Sequence, residues 1–393
     1  MSKRRISILG VTGSIGASTL DVIDALGRER IETVAVTGNA NIVGLAEAAE
    51  RLGAEIAVTS NPARLGALRE ALAGTGIEAA AGEEALIEAV SRPVDWVMSA
   101  IVGAAGLRPT LAAVRQGATI ALANKECLVA AGEVFLDEVK KAGATLLPVD
   151  SEHNAIFQLV ATEGRTGGCA PIERLLLTAS GGPFRSWSLE QMAAASPQQA
   201  IAHPNWSMGA RISIDSASMF NKALEMIEAG HLFGVGPEQI EVVVHRQSII
   251  HSMVGYGDGS ILAHLGPSDM RVAIGYALAW PERPALPVER LDFAKLARLD
   301  FEAPDEVRFP ALRLAREAMR AGGLMPCVLN AAHEIALDGF IAGQIGFLDM
   351  ASLVEETMAR LDLSTPAMNV EDVLAADGRA RETARALIEA QRA

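Results

Sequence analysis

Tyrosine occurs twice and tryptophan four times in 393 residues, and aromatic side chains make up only 4% of the chain. A core so short of rings must be filled by Ala, Leu, Ile, Val and Met, the usual content of helix-on-sheet layers and not of an all-β sandwich. Cysteine is also scarce. Cys127, Cys169 and Cys327 are odd in number and widely spaced, which suits neither a disulfide framework nor a zinc knuckle and predicts a reducing, cytoplasmic setting. No hydrophobic run is long: the stretch from Trp96 to Leu107 holds about twelve residues, two of them glycine, well below the roughly 20 that a spanning helix needs. The apolar residues after the basic Met1–Arg5 stop at Gly10, too soon for a secretory leader. A soluble protein with no membrane partner is expected. Basic residues are outnumbered 34 to 48, giving a net charge of −14 and a pI near 5.1. That field repels phosphate backbones, so nucleic acid is excluded as a partner, and any anionic ligand must be met by a local helix start, lysine or metal ion.

Half of the residues are hydrophobic and 21% are charged, an ordinary globular balance for a chain long enough to hold two or three domains. Short β-branched runs at Ile6–Leu9, Thr33–Val36, Ile56–Val58, Trp96–Met98, Thr119–Leu122 and Thr145–Val149 alternate with helical spacing, such as Ile42–Leu52. Repeated strand–helix units of this kind predict an α/β fold with a Rossmann-like, doubly wound parallel sheet over residues 1–150. Strand-like runs at Arg174–Thr178, Ile240–Val244 and Ser260–Leu265 place a second α/β domain at 151–280. A stretch rich in Pro, Arg and Asp reads as a linker at 281–310, and periodic segments predict a helical bundle at 311–393.

Gly10-Val11-Thr12-Gly13-Ser14-Ile15-Gly16 falls where the first strand meets the first helix. Glycines there allow close backbone approach and helix N–H groups face a pyrophosphate; a plain tight turn is the alternative. The second strand ends Thr37-Gly38-Asn39-Ala40-Asn41 with no acid to bind a ribose 2′-hydroxyl, which favours NADP over NAD. Asp150-Ser151-Glu152 follows the last strand of the first domain, where extended backbone would put both carboxylates on one face as hard ligands for Mg²⁺ or Mn²⁺; a solvated turn is the simpler reading. Glu225 is the candidate third ligand. If a helix starts near Ser216, Asn221 and Glu225 share a face, with Ser216 and Lys222 near its positive end as a phosphate seat; an ordinary capped helix with a Lys222–Glu225 pair fits equally. His203-Pro204-Asn205-Trp206-Ser207-Met208-Gly209 reads as a lid or as loop packing, and Ser180-Gly181-Gly182-Pro183 as a hydroxyl with open amides or as a turn. His333-Glu334 lacks the second histidine of a zincin motif, because Leu337 stands in its place.

Taken in order, the glycine turn, Leu122-Ala123-Asn124-Lys125-Glu126, Leu147 to Gln158, Ser180 to Phe184, the His203–Gly209 loop and Asp215 to Glu225 resemble the 1-deoxy-D-xylulose 5-phosphate reductoisomerase family along the whole chain. The resemblance implies an NADPH- and metal-dependent oxidoreductase that rearranges and reduces 1-deoxy-D-xylulose 5-phosphate to 2-C-methyl-D-erythritol 4-phosphate in the non-mevalonate isoprenoid pathway. It implies a homodimer using Mn²⁺, Mg²⁺ or Co²⁺, with an NADPH-binding first domain and a catalytic second domain. By the same resemblance, Asp150, Glu152 and Glu225 bind the metal, and Lys125, Glu152, His203, Trp206 and Met208 are catalytic. Lys125, Ser151, Glu152, Ser180, His203, Ser216, Asn221, Lys222 and Glu225 contact the substrate. Thr12, Gly13, Ser14, Ile15, Gly38, Asn39, Ala40, Asn124, Glu126 and Gly209 contact the cofactor. The chain departs from the family at Asn39-Ala40-Asn41, at Cys127 for Ser, at Arg246 for Pro and at His333 for Asn.

The alternatives are another NADP-dependent dehydrogenase, which would not need the carboxylates, a non-enzymatic dinucleotide sensor, and metal-dependent phosphoryl chemistry, which would not need the glycines.

Overall fold

The computed structural model describes residues 3–164, 171–206, 208–361 and 363–392. They form two compact units, one of residues 1–127, 135–154 and 269–289 and the other of 128–134, 155–268 and 290–393.

The first unit is built on a seven-stranded sheet of β1 (Arg4–Leu9), β2 (Ile31–Gly38), β3 (Ile56–Thr59), β4 (Glu78–Ala81), β5 (Trp96–Ser99), β6 (Thr119–Leu122) and β7 (Thr145–Pro148). Its order is β4-β3-β2-β1-β5-β6-β7, with every neighbour parallel. The chain winds outward from β1 in one direction through β4, then returns to add β5 on the other side of β1. That reversal is the topological switch point at which α/β sheets bind ligands beyond the strand C-termini. Ile6, Ile8, Val34, Val36, Ile56, Val58, Trp96, Met98, Ile120 and Leu122 are all fully buried, as continuous β-branched and aliphatic runs in a doubly covered sheet should be.

The second unit contains a four-stranded sheet of β8 (Ile172–Ala179), β9 (Ile240–Val244), β10 (Ile250–Tyr256) and β11 (Ile261–Leu265), in the order β11-β10-β8-β9. β8 and β9 are parallel, and the other pairs antiparallel. Helices Ala311–Ala321, Met325–Ile341, Asp349–Arg360 and Val370–Arg392 close the chain. Their apolar faces share one continuous core with the sheet: Leu175, Phe184, Phe220, Val328, Leu329, Leu353 and Leu387 belong to a single buried cluster. The segment between Pro281 and Pro310 has little regular structure, but Glu302 exchanges two 2.9 Å backbone hydrogen bonds with Val244, so it docks on the edge strand β9.

Residues 269–289, expected from sequence at the end of the second domain and in the linker, belong to the first unit. The cause is visible in the contacts of helix Met270–Ala279: Trp96 Nε1 donates to Ala277 O at 3.1 Å, and the Arg4 guanidinium donates to Leu278 O. Among the described residues no helix is long and apolar enough to cross a membrane. Cys127 and Cys327 are buried and form no disulfide among the described residues, and burial pushes the Cys327 thiol up to about 12. Cys169 lies outside the described residues.

Candidate active site

In the first unit, the turn after β1 is shaped by two glycines. Gly10 has φ +83°, and a Cβ there would sit 2.5 Å from Ala100 O; a Cβ on Gly16 would lie 2.2 Å from Val11 O. No residue with a side chain fits either place, so the backbone passes close to the end of β5 and the helix packs tightly on the turn. The turn is fastened to β2, since Gly10 N and Val11 N donate to Thr37 O at 3.1 and 2.8 Å. Gly13 then caps helix Ser14–Leu26 with no side-chain hydrogen bond. The first-turn amides of Ser14 and Ile15 are thus offered in the place where a helix start binds a pyrophosphate. Thr12, Gly13, Ser14 and Ile15 are all at least partly exposed there.

Beside them, Gly38 leads into exposed Asn39 and Ala40. Fully buried Thr59, at the end of the neighbouring β3, donates its hydroxyl to Asn39 O at 2.7 Å and accepts from Asn61 N at 3.2 Å. Asn41 is the cap of helix Ile42–Leu52, accepting from Gly44 N. Asn124 and Glu126 both hold the loop after β5. The Asn124 amide donates to Ile101 O and to Gly103 O and accepts from Cys127 N, and the Glu126 carboxylate accepts from Gly103 N at 3.1 Å.

Lys125 is 4% exposed, and its Nζ lies 2.5 Å from Asp150 Oδ2. Ser151 Oγ donates to Glu152 Oε2 at 2.5 Å, and His153 Nδ1 is 3.9 Å from Asp150 Oδ2. The extended backbone expected across Asp150–Glu152 is not found. Helix Ser151–Gly164 begins there, with Asn154 N donating to Asp150 O at 2.8 Å, so Asp150 heads the helix and Glu152 sits in its first turn. The reason is local: Pro148 ends β7, and an Asp followed by Ser and Glu is a strong helix-start sequence.

In the second unit, Ser180 follows β8 and its hydroxyl lies 2.8 Å from His203 Nε2. His203 Nδ1 accepts the N–H groups of Trp206 at 2.9 Å and Asn205 at 3.2 Å. An atom that accepts two amides holds no proton, so Nε2–H is the donor to Ser180 Oγ. Burial and the nearby Arg185 guanidinium push the His203 imidazole down to about 4, so the ring stays neutral at physiological pH. The loop beyond is tied again by Asn205 Nδ2, which donates to Arg246 O and to Ser248 Oγ at 2.6 and 3.0 Å. The half-buried Trp206 ring faces His251, with centroids 6.1 Å apart. Met208 is half-buried and Gly209 exposed; Ser207 lies outside the described residues.

Gly182, at φ +64°, brings the Ser180 loop against Ser216, where a Cβ would lie 2.7 Å from Ser216 O. Ser216 is not at a helix start, as the sequence suggested, but in the last turn of helix Ala210–Ser218. The chain breaks at Met219, which has φ 65°, and a second helix runs from Phe220 to Phe233. Asn221 and Lys222 are therefore in the first turn of that second helix, at its positive end. Both donate to the Glu225 carboxylate, Asn221 Nδ2 to Oε1 and Lys222 Nζ to Oε2. Lys222 and Glu225 are 3% and 1% exposed. A buried pair of this kind is costly to split, because the remaining charge would be left without its partner.

Contacts along the chain thus link Ser180 with His203, Ser216 with the Ser180 loop, and Asn221 with Lys222 and Glu225. Sequence reasoning missed Thr37, Thr59, Asn205 and Ser248, which hold the loops in place, and Arg185, whose guanidinium lies near His203. No local pattern marks them, since each acts on a segment distant in sequence.

Comparison with known proteins agrees along the whole chain. Family models match for 1-deoxy-D-xylulose 5-phosphate reductoisomerase at residues 6–132, for the C-terminal domain of the same enzyme at 146–233, and for the DXP reductoisomerase C-terminal domain at 265–383. A 1-deoxy-D-xylulose 5-phosphate reductoisomerase from Sinorhizobium fredii is 64% identical over 389 residues, 99% of this chain and 98% of the relative. The solved Zymomonas mobilis reductoisomerase in complex with NADPH has a TM-score of 0.90 at 52% identity, covering 99% of both chains. A DOX-P reductoisomerase in complex with NADPH, fosmidomycin and magnesium has a TM-score of 0.93 at 43% identity, again over 99% of both.

Proposed function

Because the chain belongs to the 1-deoxy-D-xylulose 5-phosphate reductoisomerase family, we propose that the residues described above divide that family's reaction among themselves. The activity is the NADPH- and divalent-metal-dependent conversion of 1-deoxy-D-xylulose 5-phosphate to 2-C-methyl-D-erythritol 4-phosphate, a step of the non-mevalonate isoprenoid pathway. When bound, the cation supplies Lewis-acid polarisation of substrate oxygens and NADPH supplies the hydride.

The glycine cradle at Gly10, which a Cβ would fill, and the uncapped start at Gly13 suit a dinucleotide. Thr12, Gly13, Ser14 and Ile15 are assigned to its pyrophosphate, and Gly38, Asn39 and Ala40 to its adenosine end. Asn124 and Glu126 act by holding the loop after β5, and Gly209 by starting the helix that carries Ser216. Asp150, Glu152 and Glu225 are the proposed metal ligands: all three offer carboxylate oxygen, the donor that Mg²⁺ and Mn²⁺ prefer. Lys125 and Lys222 hold two of these carboxylates in place through direct ion pairs.

The observation that supports the substrate assignment is that the Ser180 loop, bonded to His203, lies against Ser216, just before the break after which Asn221 and the buried Lys222 open a helix at its positive end. In an acidic protein this is where a phosphate finds hydroxyl, amide and ammonium donors together. Lys125 and Ser151 are assigned to the polar carbon backbone of the substrate, with His203 as a neutral donor. Trp206 and Met208 form the flap that excludes water from the reacting carbons. Binding energy from the phosphate, remote from the breaking bond, serves to close that flap.

We also read the enzyme as a cytoplasmic homodimer that accepts Mn²⁺ or Co²⁺ as well as Mg²⁺; the scarcity of cysteine supports the compartment, the hard ligand set supports the metals, and the dimer is what the family resemblance implies. The assignment is tested by Glu225→Gln, for which turnover should fall at least ~100-fold while NADPH affinity stays within about twofold. Loss of NADPH binding would instead make Glu225 a support of the fold.

A further inference from the structure

Helix Met325–Ile341 carries a histidine to which this assignment gives no role. His333 is 1% exposed, and its Nε2 lies 2.8 Å from Asp215 Oδ1. Its ring lies nearly flat on Phe220, with centroids 4.1 Å apart and planes 17° from parallel. Its Nδ1 is buried with no hydrogen-bond partner among the described residues, so the proton is placed on Nε2, where Asp215 accepts it.

The two groups it touches stand on opposite sides of one break. Asp215 immediately precedes Ser216 near the end of helix Ala210–Ser218, and Phe220 opens the helix that carries Asn221 and Lys222. Between them Met219 holds φ 65°, a left-handed conformation that a non-glycine residue keeps only where its surroundings impose it. A single imidazole therefore grips both arms of the junction, one by a hydrogen bond and the other by stacking. Its donor also holds the Asp215 carboxylate toward the Met325–Ile341 helix. Released, that carboxylate would stand next to Ser216 and oppose an incoming anion.

We propose that His333 is a positioning residue for the substrate phosphate: through Asp215 and Phe220 it fixes Ser216, Asn221 and Lys222 in one arrangement and keeps the Asp215 charge off the anion. This rests on the reading of those three residues as the phosphate seat.

The test is steady-state kinetics on the full-length, metal- and NADPH-supplied enzyme with His333→Leu, His333→Asn, Asp215→Asn, the double variant Asp215→Asn/His333→Leu, and Lys222→Met as reference. The readouts are KM for 1-deoxy-D-xylulose 5-phosphate, inhibition by inorganic phosphate, KM for NADPH, and kcat. His333→Leu should raise the substrate KM and the phosphate Ki about tenfold, the loss expected when a hydrogen bond to a charged group is removed. The kcat and the KM for NADPH should change by less than about twofold. The double variant should cost no more than His333→Leu alone, because both changes remove the same hydrogen bond and no carboxylate then remains to be held, and His333→Asn should lie between Leu and wild type.

An unchanged KM and phosphate Ki in His333→Leu, or losses that simply add in the double variant, would overturn the proposal and leave His333 as core packing. Should His333→Leu fail to fold, the same comparison is made on His333→Asn and His333→Gln. Lys222→Met separates the two levels. If it leaves phosphate inhibition intact, the phosphate-seat reading falls; if it weakens inhibition while the His333 variants do not, only the role of His333 falls.

Discussion

At His203 two main-chain amides decide what the side chain can do. With Trp206 N and Asn205 N directed at Nδ1, a second proton on the ring would meet two donors, and burial and Arg185 oppose it further by holding the imidazole at about 4 against an ordinary 6.5. The unfolded chain binds that proton more readily than the folded one. His203 therefore costs no stability above pH 6.5 and destabilises the fold progressively as pH falls from 6.5 toward 4. An NMR titration of ring-labelled enzyme should find His203 neutral across about pH 5 to 8. A midpoint near 6.5 would contradict the two-amide geometry. At this scale the sequence was legible only where partners are close along the chain. The Lys222–Glu225 pair follows from their spacing on a helix, whereas Lys125–Asp150, Ser180–His203 and Asp215–His333 join segments that no local pattern relates.

Elements bring these residues together through a few places where backbone meets backbone. Gly182 allows the Ser180 loop to lie on the Ser216 carbonyl, and Ala there would suffer both φ +64° and a 2.7 Å contact. Gly182→Ala should raise the substrate KM at least about fivefold with NADPH affinity unchanged, since only the second unit is disturbed; equilibrium binding and steady-state rates check both. Gly10→Ala should do the reverse, weakening NADPH binding at least ~10-fold by forcing the turn away from Ala100. Wild-type affinity in a dye-displacement or calorimetric titration would show that the turn does not carry the cofactor. Strands β1, β2, β5, β6 and β9 were readable as β-branched runs. β4 was not, because Glu78-Ala79-Ala80-Ala81 has little strand propensity and is held by its neighbour. The break at Met219 was equally hidden, since methionine is a good helix former and the turn is imposed from outside.

At the scale of the whole molecule, residues 269–289 show why the expected boundaries differ from the compact units. Nothing in their composition tells that helix Met270–Ala279 returns to the first sheet; the decisive contacts, Trp96 with Ala277 and Arg4 with Leu278, join residues 181 and 274 positions apart. Trp96→Phe removes the indole N–H and part of a fully buried ring, and should lower stability by about 2 kcal/mol. Thermal unfolding with NADPH present and absent checks this, and an unchanged midpoint would mean the contact is not part of the folded core. The net charge of −14 makes the local seat for phosphate a requirement and not an ornament, because the overall field opposes the substrate.

The central claim is that one chain couples a metal-dependent rearrangement to an NADPH reduction. It is tested most directly by following NADPH absorbance with 1-deoxy-D-xylulose 5-phosphate and Mg²⁺ or Mn²⁺, with and without chelator, and identifying the product by NMR. The account predicts NADPH oxidation that stops with chelator and restarts on adding metal, giving the branched 2-C-methyl-D-erythritol 4-phosphate. Oxidation that ignores the chelator, or an unbranched reduced sugar as product, would contradict it.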